Sequence, residues 1–321
     1  MPILEVNQLK KYFPVTSGVL LRQTGSIHAV DDVSFSVSKG ETLGIVGESG
    51  CGKTTLGRCI MGLYPLTQGS ITLDGLSLTR MNSAQRKDFS TRVQMIFQDP
   101  YESLNPRQTV RQILEEKYII HGKNKKNLGS TLETLLSQVG LGPESLLKYP
   151  HEFSGGQRQR IGIARAVSMS PEIIVCDEPV SALDVSVQSK ILNLLLDLQE
   201  NLGLTYLFIS HDLSVVRHMS DRIIVMYLGK LMEVADAQTL YTSSCHPYTK
   251  ALLDAVPKPE PGAAARRTPL TGEVPSAEHP PLGCRFNTRC PHADQICFDK
   301  EPVLTPNQDD EDHLTACHFF Y

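Results

Sequence analysis

The sequence predicts an α/β protein, on three observations. Short apolar runs alternate with helix-length segments. Several of these runs are apolar at successive positions, as strands buried on both faces of a parallel sheet must be, and one run feeds a glycine-rich loop that opens a helix.

In chain order, the first run is ETLGIVG at residues 41–47, leading into GESGCGKT at residues 47–54 and then the helix-like TTLGRCIMGL. The loop fits G-x-x-x-x-G-K-[ST] with a strand before it and a helix after it, the context that pattern requires. Glycines let backbone N–H groups approach phosphate oxygens, and the helix start adds a favourable dipole. The phosphate-binding candidates are Gly47, Ser49, Gly50, Cys51, Gly52, Lys53, Thr54 and Thr55. Lys53 would reach the β and γ phosphates, and the Thr54 hydroxyl would ligate magnesium. Cys51 sits at a variable position of the loop and need not be reactive.

The second run, VQMIF at residues 93–97, ends at Gln98. The third, EIIVC at residues 172–176, ends in Asp177 and Glu178. An acidic pair at a strand end is by itself usually part of a solvated loop. Beside a phosphate loop, Asp177 is placed to hold magnesium and Glu178 to orient or deprotonate the attacking water. Residues 186–203 put Val187, Ile191, Leu194, Leu195 and Leu198 at helical spacing and stop at Gly203. LTYLFIS at residues 204–210 is the fourth strand, and DRIIVMYLGKLMEVA at residues 221–235 reads as two antiparallel strands joined at Leu228 and Gly229. Residues 257–281 contain seven prolines and few large apolar side chains, so they read as an extended linker. The acidic run at residues 309–312 reads as a solvated loop.

Composition narrows the function. The chain has 321 residues, 40% hydrophobic and 21% charged, enough for one large domain and a small one. A net charge of −4 supplies no strongly basic surface, which argues against a nucleic-acid partner. No apolar run approaches the ~20 residues of a membrane-spanning helix, and the start MPILE lacks the charged and apolar regions of a signal peptide. A cytosolic protein is expected, where disulfides are disfavoured, so the eight cysteines need another explanation.

Between and after the nucleotide motifs lie FSGGQRQRIGIARA from Phe153, SALD at residues 181–184 and ISHD at residues 209–212, with Gln98 in IFQDP. Together these resemble the full motif set of ATP-binding cassette (ABC) ATPases. The resemblance implies a P-loop core with an antiparallel β subdomain and a helical subdomain. It implies that Ser154, Gly155, Gly156 and Gln157 form the signature that binds the γ phosphate held by an opposing subunit, so that hydrolysis needs a dimer. It also implies that His211 contacts the γ phosphate, that Gln98 senses magnesium and the attacking water, and that Asp184 communicates across the dimer. Phe13 in LKKYFPV aligns best with the aromatic that stacks on adenine, with Tyr12 the second choice. Catalysis is then expected from Lys53, Gln98, Glu178 and His211, and magnesium binding from Thr54, Gln98 and Asp177.

One phosphate loop and no membrane span resemble a separate ATPase subunit of a transporter. QDPYESLNPRQTV, CHPYTKALLDAVP and the cysteine tail look like those of bacterial dipeptide and oligopeptide importers, a group that includes nickel and opine importers. That resemblance implies ATP and Mg2+, a second ATPase subunit, two transmembrane permeases, an extracytoplasmic binding protein, and a peripheral place on the cytoplasmic face of the inner membrane. Cassette ATPases of translation or repair carry two cassettes or long coiled coils; a single cassette without a long heptad run argues against them. The expected organisation is a nucleotide-binding domain at residues 1–256 with its helical subdomain at about 100–168, a linker at 257–283 and a tail at 284–321.

In the tail, Cys284, Cys290, Cys297 and Cys317 are spaced C-x5-C-x6-C-x19-C. Four thiolates suit zinc or an iron–sulfur cluster, and these intervals match neither a zinc knuckle nor a ferredoxin, so spacing leaves the metal open. Free cysteines are often small buried hydrophobes, the reading given to Cys59 and Cys176. A tail with few large apolar residues needs a staple to fold, which favours metal there. The resemblance implies a 4Fe–4S cluster, with zinc the alternative.

Overall fold

The computed structural model describes residues 2–18, 22–123, 128–256, 272–307 and 310–319. The larger part of the expected linker, residues 257–271, lies outside the described residues, as does Asp309 of the acidic run. The chain divides into two compact units, one of residues 2–37, 42–79 and 209–321, the other of residues 38–41 and 80–208.

In the first unit a four-stranded sheet runs in the order Arg22–Ser38, Pro2–Ser17, Gln68–Leu73, Leu76–Ser77. Leu4 faces Leu73 and Val6 faces Ile71 across an antiparallel pair, all four buried, while the intervening Glu5 and Asn7 are exposed. This alternation marks a sheet with one wet face. The same unit holds the parallel pair Thr42–Val46 and Arg222–Tyr227, with Ile45 opposite Ile224. Arg222–Tyr227 turns back into Lys230–Asp236 at the expected place, with Leu228 at φ 42° and Gly229 at φ 78°. Two successive residues of positive φ suit the twist of a tight hairpin. Leu314–Thr315 of the tail pairs antiparallel with Lys230–Asp236, and Thr305–Pro306 pairs with it in turn.

In the second unit the expected runs become Val93–Ile96, Ile173–Asp177 and Thr205–Ile209, the first two parallel with Met95 opposite Val175. Every residue of the three is buried, matching their continuous apolarity. The helices include Val110–Ile120, Leu128–Gln138 and Gly155–Val167. Val185–Leu202 buries Ile191, Leu194, Leu195 and Leu198 and ends at Gly203 with φ 64°, as the spacing predicts; Val187 is half-buried. Tyr206 fixes this helix to the sheet by donating its hydroxyl to the Leu195 carbonyl at 2.8 Å. Among the described residues, no helix is long and apolar enough to cross a membrane.

Candidate active site

The phosphate loop follows Thr42–Val46 and opens the helix Lys53–Ile60. Its backbone explains its glycines. A Cβ on Gly47, at φ 150°, would lie 2.1 Å from the Met226 carbonyl oxygen, and one on Gly52, at φ 106°, would lie 2.0 Å from that of Ala29. The Lys53 side chain folds over the loop, donating to the carbonyls of Gly47 at 2.7 Å and Glu48 at 3.0 Å. Cys51 is buried with its thiol pushed up by that burial, and burial likewise lifts the Cys59 thiol to about 11. Cys59 and the fully buried Cys176 behave as the small hydrophobes expected of them.

Glu48 is held at both ends. Its backbone N–H donates to the Tyr248 hydroxyl at 2.9 Å, and its carboxylate receives both Nη atoms of Arg289, at 2.6 and 3.0 Å. The loop is also tied to the hairpin: Gly229 N donates to the Cys51 carbonyl at 2.9 Å, and Asp31 N donates to that of Gly229 at 2.8 Å. Burial would raise the Asp31 carboxyl, but the Tyr12 hydroxyl with Lys230, Arg285 and Lys10 holds it below the usual range.

Of the two aromatic candidates, Tyr12 is engaged, stacked on His28 at 4.1 Å and donating its hydroxyl to Asp31 at 2.5 Å. Phe13 is half-buried, edge-on to Tyr64 at 5.4 Å, with Lys11 Nζ 4.7 Å above its ring. His211 is exposed between Thr205–Ile209 and the helix Leu213–Met219, whose first turn Asp212 caps by accepting from the N–H groups of Ser214 and Val215.

The second unit brings Gln98 and Glu178 together, Gln98 Nε2 donating to Glu178 Oε2 at 2.8 Å. Asp177 is buried at the end of its strand, and Glu178 follows with φ 47°, a left-handed conformation costly for a residue with a Cβ. Ser154 caps the helix Gly155–Val167 in a reciprocal box with Gln157. A Cβ on Gly156 would lie 2.5 Å from Val187, so the glycine lets this helix start sit beside Val185–Leu202, which begins at its N-cap Asp184.

The four tail thiols line one pocket with His292, His318 and Phe286. Burial pushes the Cys284 thiol up to about 12, and its three partner cysteines push it the same way; burial raises Cys290 and Cys317 too. Four thiols lining one pocket are a donor set that fits a thiolate-bound metal, which would release their protons on binding.

A second donor set was not legible in the sequence. Ligand atoms of Glu233, Cys245 and His313 lie within 4.8 Å of one another and could hold a metal ion. Glu233 accepts from His313 at 2.7 Å and from the backbone N–H groups of Cys245 and His246 at 2.6 and 3.1 Å. These residues form no local motif, which is why spacing missed them. His246 is fully buried, lowered by that burial to about 4, and its Nδ1 caps the helix Pro247–Asp254 by accepting from Tyr248 N at 3.0 Å.

The family model described as "ABC transporter" matches residues 30–181, and that described as "Oligopeptide/dipeptide transporter, C-terminal region" matches residues 232–297. The chain is 52% identical to the oligopeptide transport ATP-binding protein AppF of Bacillus subtilis (strain 168), over 99% of this chain and 97% of AppF. It is 51% identical to the putative oligopeptide transport ATP-binding protein YkfD of the same organism, over 100% of this chain and 96% of YkfD. Among solved structures, the dimeric post-hydrolysis state of the ATP-binding cassette MJ0796 bound to ADP and Pi superimposes with a TM-score of 0.64 at 26% identity, covering 73% of this chain and 98% of that one.

Proposed function

We propose, since this chain belongs to the ABC transporter family as an ATPase of the oligopeptide and dipeptide type, that the ATP it hydrolyses drives uptake of peptides through membrane permeases. The observation that carries the hydrolytic reading is the Gln98–Glu178 hydrogen bond at 2.8 Å beside the strained backbone of Glu178. Strain of this kind persists only where the surroundings impose it, and it gathers at working sites.

In this reading the backbone N–H groups of residues 47–55 cradle the phosphates, and Lys53 exchanges its bonds to the Gly47 and Glu48 carbonyls for phosphate oxygens. Thr54, Gln98 and Asp177 hold magnesium, which when bound offsets charge on the phosphates. Glu178 orients or deprotonates the attacking water, and His211 approaches the γ phosphate. Phe13 stacks on adenine, favoured over Tyr12 because the Tyr12 ring and hydroxyl are already engaged. Ser154, Gly155, Gly156 and Gln157 serve the nucleotide of an opposing subunit, with Asp184 at the same junction. The partners are a second ATPase subunit, two permeases and an extracytoplasmic binding protein, and the place is the cytoplasmic face of the membrane.

For the tail, the reading is a 4Fe–4S cluster on Cys284, Cys290, Cys297 and Cys317. Four cysteines lining one pocket supply the donor number that either a four-iron cluster or a single zinc takes, and the resemblance of the tail to those of peptide importers favours the cluster.

The deciding experiment is Glu178→Gln. The variant is expected to bind ATP, to lose turnover by ~100-fold or more, to accumulate an ATP-bound dimer and to stop peptide uptake in cells that carry it. Turnover at the unmodified rate would remove Glu178 from this role.

A further inference from the structure

We infer that Arg289 of the cysteine tail is a positioning residue for the phosphate loop, clamping Glu48 so that nucleotide affinity depends on the fold of the tail. The inference rests on the nucleotide-binding reading of that loop.

The contact is built, not incidental. The Arg289 side chain is 5% exposed and forks onto both oxygens of Glu48 at 2.6 and 3.0 Å. Paired, parallel bonds of this kind fix orientation as well as distance. The guanidinium also donates to the Tyr227 hydroxyl at 3.3 Å and lies 5.7 Å from that ring's centre. Phe286 packs 5.3 Å from Tyr227 and 5.3 Å from Tyr248, the residue that receives the Glu48 N–H.

One short turn connects this clamp to the thiols. Arg289 N and Cys290 N both donate to the Phe286 carbonyl, at 3.0 and 2.9 Å, so the turn that aims the guanidinium also aims a thiol into the shared pocket. Asn287 ties the same turn to the Cys297 carbonyl at 3.1 Å. Whatever folds the thiols together therefore fixes Arg289, and Arg289 fixes Glu48.

Two effects on the nucleotide follow. A loop rich in positive-φ glycine has little stiffness of its own, and the two ends of Glu48 are among the points at which it is held. In addition, Glu48 is a carboxylate inside a loop meant for polyphosphate. Without Arg289 its charge would act against a polyphosphate bound in the same loop. Arg289 neutralises that charge without occupying the loop.

The test measures ATP affinity of the full chain in the unmodified protein, Arg289→Met, Arg289→Lys, Glu48→Gln, Arg289→Met with Glu48→Gln, and Lys53→Ala. Arg289→Met should weaken ATP roughly 5- to 50-fold, and Arg289→Lys, which keeps the charge but not the fork, should fall between it and the unmodified protein. The double variant should lose less than the product of its two single losses. Equal affinity in Arg289→Met, or losses that simply multiply, overturns the inference. If Lys53→Ala abolishes binding while Arg289→Met does not weaken it, the clamp falls and the nucleotide site stands; if the unmodified chain binds no ATP, both fall.

Because a variant could act by loosening the tail, the reciprocal effect is read in the unmodified chain. Coupling between two regions is symmetric in free energy, so saturating ATP should slow amide hydrogen exchange across residues 284–299 several-fold. Exchange there unchanged by ATP overturns the clamp.

Discussion

At Gly52 the physical demand is severe enough to predict a single methyl group's effect. Its φ of 106° disfavours any side chain, and a Cβ would sit 2.0 Å from the Ala29 carbonyl. Gly52→Ala should cost at least about 2 kcal/mol of stability and abolish nucleotide binding, both measurable by thermal unfolding with and without ATP. Gly50, also at positive φ, meets nothing within 4 Å, so there only the backbone penalty applies. The spacing of these glycines was legible because the demand that sets it is local. The clamp on Glu48 was not, since nothing near Glu48 in sequence marks Arg289 or Tyr248 as its partners. Nor does any motif gather Glu233, Cys245 and His313, whose meeting is set by the sheet and tail together.

Among the elements, legibility followed burial. The strands of the parallel pairs, apolar on both faces, stood out as continuous runs, whereas Pro2–Ser17 mixes Leu4 and Val6 with Glu5 and Asn7 and leaves no such run. The helix Val110–Ile120 carries an element-level test. Burial, helped by nearby Arg165, lowers the Lys117 amine to about 7, and it donates to the Arg165 carbonyl at 2.7 Å and to Gln94. The unfolded chain binds that proton up to the ordinary lysine value of 10.5, so it holds more protons than the fold between the two values. Stability attributable to this group should therefore rise from pH 7 toward 10.5 and be lowest below 7. Lys117→Met should flatten that slope in urea unfolding carried out across the range; an unchanged slope would show that Lys117 is not its source.

For the whole molecule, the tail decides how the chain should look when purified. Prepared without oxygen it should be brown and contain about four irons per chain; a colourless protein with one zinc would replace the cluster with zinc. That the four thiols meet was expected from the sequence, and they line one pocket; which distant segments return to close it was not readable there. One of those segments is Leu314–Thr315, laid along Lys230–Asp236. Beyond it the sheet ends on Thr305–Pro306, two residues long and finished with a proline that has no N–H to offer. The tail thus covers an edge that would otherwise invite a foreign strand, and leaves the finished fold little on which another chain could add.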